Sequence, residues 1–350
     1  MKISDKFHYY RSELRFFLPM LRKMSFRRLW NIVLTYCSFH LSSWLNRPIH
    51  WGKPFGVSIE PTTACNLKCP ECPSGLRAFS RATGNLKEDF FRKTIDQIAA
   101  DTSFITFYFQ GEPFINPKFL EMVRYANDRA MICSTSTNGH FLTEEVCHKI
   151  IDSGLHHLIV SVDGTTQDVY EQYRIAGHLE TVLEGMRTMV RVKRERKKIL
   201  PIVSMQFLVV RPNEHQIEDA RVLAKDIGVD RILFKTAQIY DYKNGSDLIP
   251  TISKYSRYEE YEEGKWRFKN VLKNHCWRLW NDAVITWDGK VVPCCFDKDA
   301  KYVMGDLKEK SFKDVWTGKS YKSFRNRVLS SRAQIDICQN CTEGCKVWET

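Results

Sequence analysis

Six short apolar runs separated by five amphipathic ones constrain this chain more than any other feature. The apolar runs are Val57–Pro61, Phe104–Phe109, Met131–Ser136, His157–Val162, Ile202–Val210 and Arg231–Ala237. Between them lie Leu86–Ala99, Pro117–Ala130, Glu144–Ser153, Leu179–Lys198 and Glu214–Ile227, each with apolar residues at helical spacing. Strand–helix alternation of this kind predicts an α/β fold with a parallel sheet and right-handed crossovers, either doubly wound or a partial barrel. In both, chemistry sits at the C-terminal ends of the strands. With 43% hydrophobic and 27% charged residues the chain is globular. It contains no run of eighteen apolar residues and no secretory signal, so a cytoplasmic location is expected.

Twelve cysteines must be placed in that frame, and nine of them cluster. Cys65, Cys69 and Cys72 follow the first predicted strand with the spacing Cys-x3-Cys-x2-Cys. A loop this tight brings three thiolates to one face. No fourth cysteine follows for sixty residues, so a structural zinc site or a fully ligated cubane lacks a ligand. Three cysteines on a [4Fe–4S] cluster leave one iron open, as catalytic metals require. Cys37, Cys133 and Cys147 stand alone and read as small buried hydrophobes.

The triplet resembles the signature of the radical S-adenosylmethionine (SAM) enzymes. The resemblance implies a partial (β/α)6 TIM-like barrel over 54–240, with Cys65, Cys69 and Cys72 holding a [4Fe–4S] cluster whose open iron chelates SAM. It also implies reductive cleavage of SAM to a 5′-deoxyadenosyl radical that abstracts a substrate hydrogen. Other motifs fall in order, one per strand end. Gln110-Gly111-Glu112-Pro113 is similar to the family's Gly-Gly-Glu-Pro, which receives the SAM amino group. Asn138 lies in a Thr-Asn-Gly match. Ser161 matches the family serine that meets the ribose or carboxylate of SAM. Arg174 matches an arginine that holds the SAM carboxylate. The residue before the third cysteine, often aromatic in the family, is Glu71.

The remaining six cysteines lie at 276–345. Cys276 and Cys294 flank Gly289, and Cys338-x2-Cys341-x3-Cys345 closes the set. This resembles the SPASM domain, a small α+β unit that binds auxiliary clusters. Two clusters need about eight thiolates, so one auxiliary [4Fe–4S] cluster is expected. Cys276, Cys294, Cys338 and Cys341 are its expected ligands, with Cys295 and Cys345 as substitutes. Their intervals of 17, 43 and 2 residues resemble the shortened single-cluster "twitch" form. A zinc ribbon remains open, because four cysteines satisfy zinc.

Around these two units the sequence predicts a helical extension over 1–53, a connection over 241–275 and the cysteine-rich domain over 276–350. Residues 1–53 hold ten Lys/Arg against Asp5 and Glu13, net +8 of the chain's +12. The run 26–45 reads as a helix with an apolar face of Leu29, Trp30, Val33, Leu34, Tyr36, Cys37, Leu41 and Trp44. Two uses suit it: lying on an anionic membrane, with 1–45 touching the inner membrane surface, or packing on the main domain with its arginines solvated. The run Tyr258–Glu263 reads as a solvated helix face. Val284–Trp287, Asp288-Gly289 and Val291–Pro293 read as a hairpin, followed by a helix near 311–330. The resemblance further implies an electron donor of flavodoxin or ferredoxin type. The substrate is a peptide side chain or, alternatively, a carbohydrate or other small polar metabolite. Nucleic acid is not an expected partner. A reading of another class is a non-catalytic iron–sulfur or zinc protein.

Overall fold

A computed structural model of the chain describes residues 20–269 and 271–343. Six parallel strands follow one another in chain order: β1 (Gly56–Ile59), β2 (Phe104–Thr106), β3 (Ile132–Thr137), β4 (His157–Ser161), β5 (Ile202–Val209) and β6 (Arg231–Thr236). Helices Glu88–Ile98, Phe119–Asp128, Glu144–Asp152, Leu179–Glu195 and Ile217–Ile227 cross over between them. Several strands end sooner than the apolar runs. β2 stops at Thr106, because residues 107–112 bend over the sheet edge into a motif-bearing loop. The two faces of the sheet differ. Phe207 and Phe234 are register partners on the helix side, with ring centroids 5.8 Å apart. On the concave side, Thr106 and Ser134 are partners whose hydroxyls lie 3.3 Å apart. The curved sheet thus buries its apolar face under helices and lines its lumen with polar groups.

The C-terminal unit is joined to this sheet by backbone pairing. Its hairpin, β9 (Val284–Ile285) and β10 (Lys290–Val292), turns at Gly289, and β9 pairs parallel with β1 through Ser58–Val284 and Ile59–Ile285. With β11 (Gly305–Asp306) the sheet has nine strands, in the order β11-β10-β9-β1-β2-β3-β4-β5-β6. A buried pair ties the same seam. Arg81 donates to both carboxylate oxygens of Glu60, at 2.9 and 2.6 Å, and to Lys298 O at 3.0 Å. Glu60 is fully buried. Arg81→Met strands that carboxylate and is expected to cost about 3–5 kcal/mol, read as a lower urea midpoint. Adding Glu60→Gln should recover much of it. An unchanged midpoint in the single variant would show the pair to be idle.

Three expectations are corrected. Tyr258–Glu263 is not helical: β7 (Tyr258–Glu262) and β8 (Lys265–Phe268) form a separate antiparallel hairpin. Gly264, at φ +70°, turns it, and Glu259 pairs with Arg267 across the strands at 2.8 Å. Tyr258, at the start of the hairpin, is buried, and Tyr261 is exposed. The helix near 311–330 is two helices, Phe312–Trp316 and Lys319–Ser331, broken at Thr317-Gly318. Among the lone cysteines, Cys133 and Cys147 are buried but Cys37 is exposed.

The helix Phe26–Leu45 forms as predicted, yet it docks by its other face. Arg28, Asn31, Thr35, Ser38 and Ser42 are buried, whereas Trp30, Tyr36 and Trp44 are exposed. Its arginines are not all solvated. Arg28 donates to Ala99 O at 2.6 Å, Arg129 O at 2.9 Å and Ala130 O. Those carbonyls end helices Glu88–Ile98 and Phe119–Asp128, where the last turn leaves acceptors without intrahelical partners. Asn31 bonds Asp101 O and the Lys53 backbone, and Arg27 and Lys53 both pair with Asp101. The helix covers the loops before β2 and β3, opposite the C-terminal strand ends. No helix among the described residues is long and apolar enough to cross a membrane.

Candidate active site

The cysteine loop crosses the C-terminal end of the sheet, held by backbone bonds at several points. Glu112 N donates to Ala64 O at 2.8 Å, and Lys68 N donates to Ile175 O at 3.0 Å. Cys72 occupies the N-cap position of the short helix Pro73–Leu76. Ser74 in that helix accepts a bond from Gly111 N at 2.8 Å. A Cβ on Gly75 would stand 2.6 Å from Cys69 N and 2.8 Å from Cys69 O, so only glycine lets the loop fold back this closely. Cys65, Cys69 and Cys72 share one apolar cluster with Leu67, Leu208 and Tyr173. Burial pushes the Cys65 thiol up to about 11. Burial raises Cys69 too, opposed by the Arg174 guanidinium, whose Nη1 lies 3.8 Å from the sulfur. Loading a metal must therefore displace protons from these thiols.

The strand-end motifs converge on that loop. The Gln110 side-chain oxygen is buried without a partner, which suits a ligand donor arriving there. Glu112 is buried under the loop, and burial moves its carboxyl up to about 7. Its oxygens accept from Asn138 N at 2.7 Å, Thr137 Oγ1 at 2.8 Å and Phe114 N at 3.3 Å. A carboxylate offers about four acceptor positions, so one remains open. Pro113 opens the turn after it. Asn138 reaches both Asn66 Oδ1, at 2.6 Å, and Cys65 Sγ, at 3.9 Å. Ser161 is the last residue of β4 and is buried. Arg174 is less free than a dedicated SAM carboxylate ligand: its Nε pairs with the fully buried Asp163 at 2.5 Å. Glu71 accepts from Tyr240 N at 2.9 Å.

The second cysteine set surrounds a separate small cavity. Cys276, Cys294, Cys338 and Cys341 line it together with Phe296, Phe324, Val328, Ile337, Arg332 and Glu343. Cys295 does not; it packs with Phe109, Val284, Val292 and Ala300. Cys345 lies outside the described residues. Arg332 donates to Cys341 Sγ at 3.6 Å and anchors on His275 O at 2.8 Å. Burial raises Cys276 to about 12 and Cys338 and Cys341 to about 11. Four soft sulfur donors around a cavity, with a guanidinium beside them, fit a polynuclear cluster.

Sequence reasoning missed the cations of this region. Arg332, Arg257, Arg278 and Lys298 lie in loops and short elements that carry no periodicity. Lys235 did carry a signal, as a lysine within an otherwise apolar strand.

Known proteins match both units. The radical SAM superfamily matches residues 59–224, and an iron–sulfur cluster-binding domain, SPASM, matches residues 276–342. The chain is 27% identical over 320 residues to a tungsten-containing aldehyde ferredoxin oxidoreductase cofactor-modifying protein of Pyrococcus furiosus, covering 81% of this chain and 86% of the relative. It is 24% identical over 309 residues to a PqqA peptide cyclase of Bradyrhizobium diazoefficiens, covering 83% and 79%. Its fold is similar to that of Streptococcus suis SuiB bound to S-adenosylmethionine, with a TM-score of 0.61 and 14% identity, covering 84% and 73%. The ordered motifs, the barrel and these matches agree: the chain belongs to the radical SAM superfamily, an enzyme with a [4Fe–4S] cluster and SAM in its barrel and an auxiliary iron–sulfur cluster in a SPASM domain.

Proposed function

We propose that this enzyme oxidatively modifies a peptide side chain by hydrogen abstraction. The observation that carries the reading is the presence of two thiol sets, one on the loop at the C-terminal strand ends and one around a separate cavity of the C-terminal unit. When bound, SAM and the barrel cluster supply a hydrogen-abstracting 5′-deoxyadenosyl radical, and the auxiliary cluster supplies a one-electron acceptor. Cys65, Cys69 and Cys72 hold the first cluster. Gln110, Gly111, Glu112, Pro113, Asn138, Ser161 and Arg174 form the SAM side of the site. Cys276, Cys294, Cys338 and Cys341 hold the auxiliary cluster, and Arg332 offsets its negative charge. A flavodoxin- or ferredoxin-type protein delivers the electron. The peptide class is supported by the likeness to PqqA peptide cyclase.

The test gives the anaerobically reconstituted full chain SAM, dithionite and a peptide encoded beside its gene. The expected product is lighter by a pair of hydrogens, with peptide-derived deuterium appearing in 5′-deoxyadenosine. Deuterium transfer from a sugar and not from the peptide would replace the peptide reading. Cys338→Ala/Cys341→Ala is expected to lower iron from about eight to about four per chain, at four per cubane, and to suppress product. Undiminished product formation in that variant would overturn the auxiliary cluster's role.

A further inference from the structure

The helix Phe26–Leu45 is held by its polar face and leaves its apolar face outside. Phe26, Leu29, Trp30, Val33, Tyr36 and Trp44 are all exposed, Phe26 by 82%, Trp44 by 78% and Trp30 by 55%. Intervals of three, four, seven and eight residues bring them to one stripe, opposite the buried Arg28, Asn31, Thr35, Ser38 and Ser42. With 20 residues the helix carries this stripe over about 30 Å. The arrangement inverts the usual one, in which an amphipathic helix turns its apolar side to the core. An exposed apolar stripe of this extent marks a contact surface.

The helix cannot simply roll to hide the stripe. Besides the bonds of Arg28 and Asn31, Ile49 N donates to Ser42 Oγ at 2.9 Å, and the Trp280 indole donates to Ile49 O at 2.9 Å. The Phe39 ring packs edge-on against Trp280, with centroids 5.6 Å apart. Rolling would leave the carbonyls at Ala99 and Arg129 and the carboxylate of Asp101 without their donors. The charges around the stripe indicate its occupant. Residues 20–53 contain six Lys/Arg and neither Asp nor Glu. Arg22 and Arg27 stand before the stripe and Arg47 after it, all exposed. Arg27 remains 62% exposed while it pairs with Asp101. A second copy of this face would bring like charges together. Tryptophan and tyrosine settle at the boundary between lipid headgroups and acyl chains, and cations beside them suit anionic headgroups.

We propose that this stripe lies on an anionic lipid bilayer and holds the enzyme at the membrane surface without crossing it. Phe26, Trp30, Val33 and Trp44 enter the headgroup boundary, and Arg22, Arg27 and Arg47 meet the lipid phosphates. The helix closes the end of the barrel opposite the cysteine loop. The bound enzyme therefore keeps the C-terminal strand ends turned away from the bilayer, open to substrate and electron donor.

Flotation of the reconstituted full chain with lipid vesicles tests this. The wild type is expected to float with phosphatidylcholine vesicles containing about one-third phosphatidylglycerol, and to stay behind when phosphatidylcholine is the only lipid. Trp30→Ser/Val33→Ser/Trp44→Ser should lower the partition coefficient at least about tenfold, with iron content, unfolding midpoint and 5′-deoxyadenosine formation as wild type. Arg22→Gln/Arg47→Gln should lower it at least about fivefold on the anionic vesicles. Failure of the wild type to float with anionic vesicles, equal partition onto phosphatidylcholine alone, or undiminished flotation of either variant overturns the proposal. A wild type that sediments as a dimer and a serine variant that sediments as a monomer also overturn it, because a second copy then covers the stripe. Loss of iron or a lower unfolding midpoint in the serine variant does the same, because the stripe then supports the fold. Failure of hydrogen abstraction from a peptide would instead remove the proposed function and leave a positive flotation result standing.

Discussion

Replacing Cys65, Cys69 and Cys72 together by alanine is expected to abolish the formation of 5′-deoxyadenosine from SAM, down to the detection limit. Iron should fall from about eight to about four per chain, at four per cubane. The remaining iron reports the C-terminal set, whose cavity is separate from the cysteine loop. The fold is expected to survive. The loop's anchors are backbone bonds at Ala64 and Lys68 and the bond from Gly111 N to Ser74 Oγ, which alanine at the cysteines leaves in place. Retained SAM cleavage in an otherwise folded triple variant would remove the triplet from the chemistry.

Gly111→Ala should be nearly as damaging, for a steric reason rather than a chemical one. Gly111 has φ +75°, and a Cβ there would stand 2.3 Å from Thr62 O and 2.8 Å from Ala64 O. Both are backbone atoms of the cysteine loop, so neither can swing aside as a side chain can. The left-handed backbone costs about 1–2 kcal/mol and overpacking about 1–3 kcal/mol. The loop must lift from Glu112, which carries Cys65 away from Asn138. The expected result is a lower unfolding midpoint and loss of SAM affinity in anaerobic dialysis. Gly264→Ala is the control. Its φ is +70°, but nothing lies within 4 Å of the added Cβ. It should cost only the backbone share, with SAM affinity unchanged. Equal effects in the two variants would show that the contact with the cysteine loop does not matter.

Much of the barrel was legible in the residues. Apolar runs of strand length alternating with amphipathic ones place six strands and five crossover helices, because periodicity is a property of neighbouring residues. The Cys-x3-Cys-x2-Cys spacing places three thiols on one loop for the same local reason. The four C-terminal cysteines expected to act together do line one cavity.

Where distant segments compete for the same surface, local pattern stops deciding. Residues 26–45 have an apolar stripe that reads as the buried one. The buried stripe is instead polar, because helix-end carbonyls and Asp101 under the barrel take the donors of Arg28 and Asn31. In Tyr258–Glu262 charge density suggested a helix, but a turn at Gly264 and cross-strand partners make it a strand. Nothing in the spacing separates Cys294 from Cys295. The seam between barrel and C-terminal hairpin turns one toward the auxiliary cavity and the other toward Phe109. By itself, then, the sequence determined the strands, the crossover helices and the two thiol sets. Only the tertiary structure decided that β9 extends the barrel sheet at β1 and that a helix closes the opposite end by its polar face. Unpaired strand edges, helix-end acceptors and buried charges find their partners in space, and chain separation carries no record of those partners.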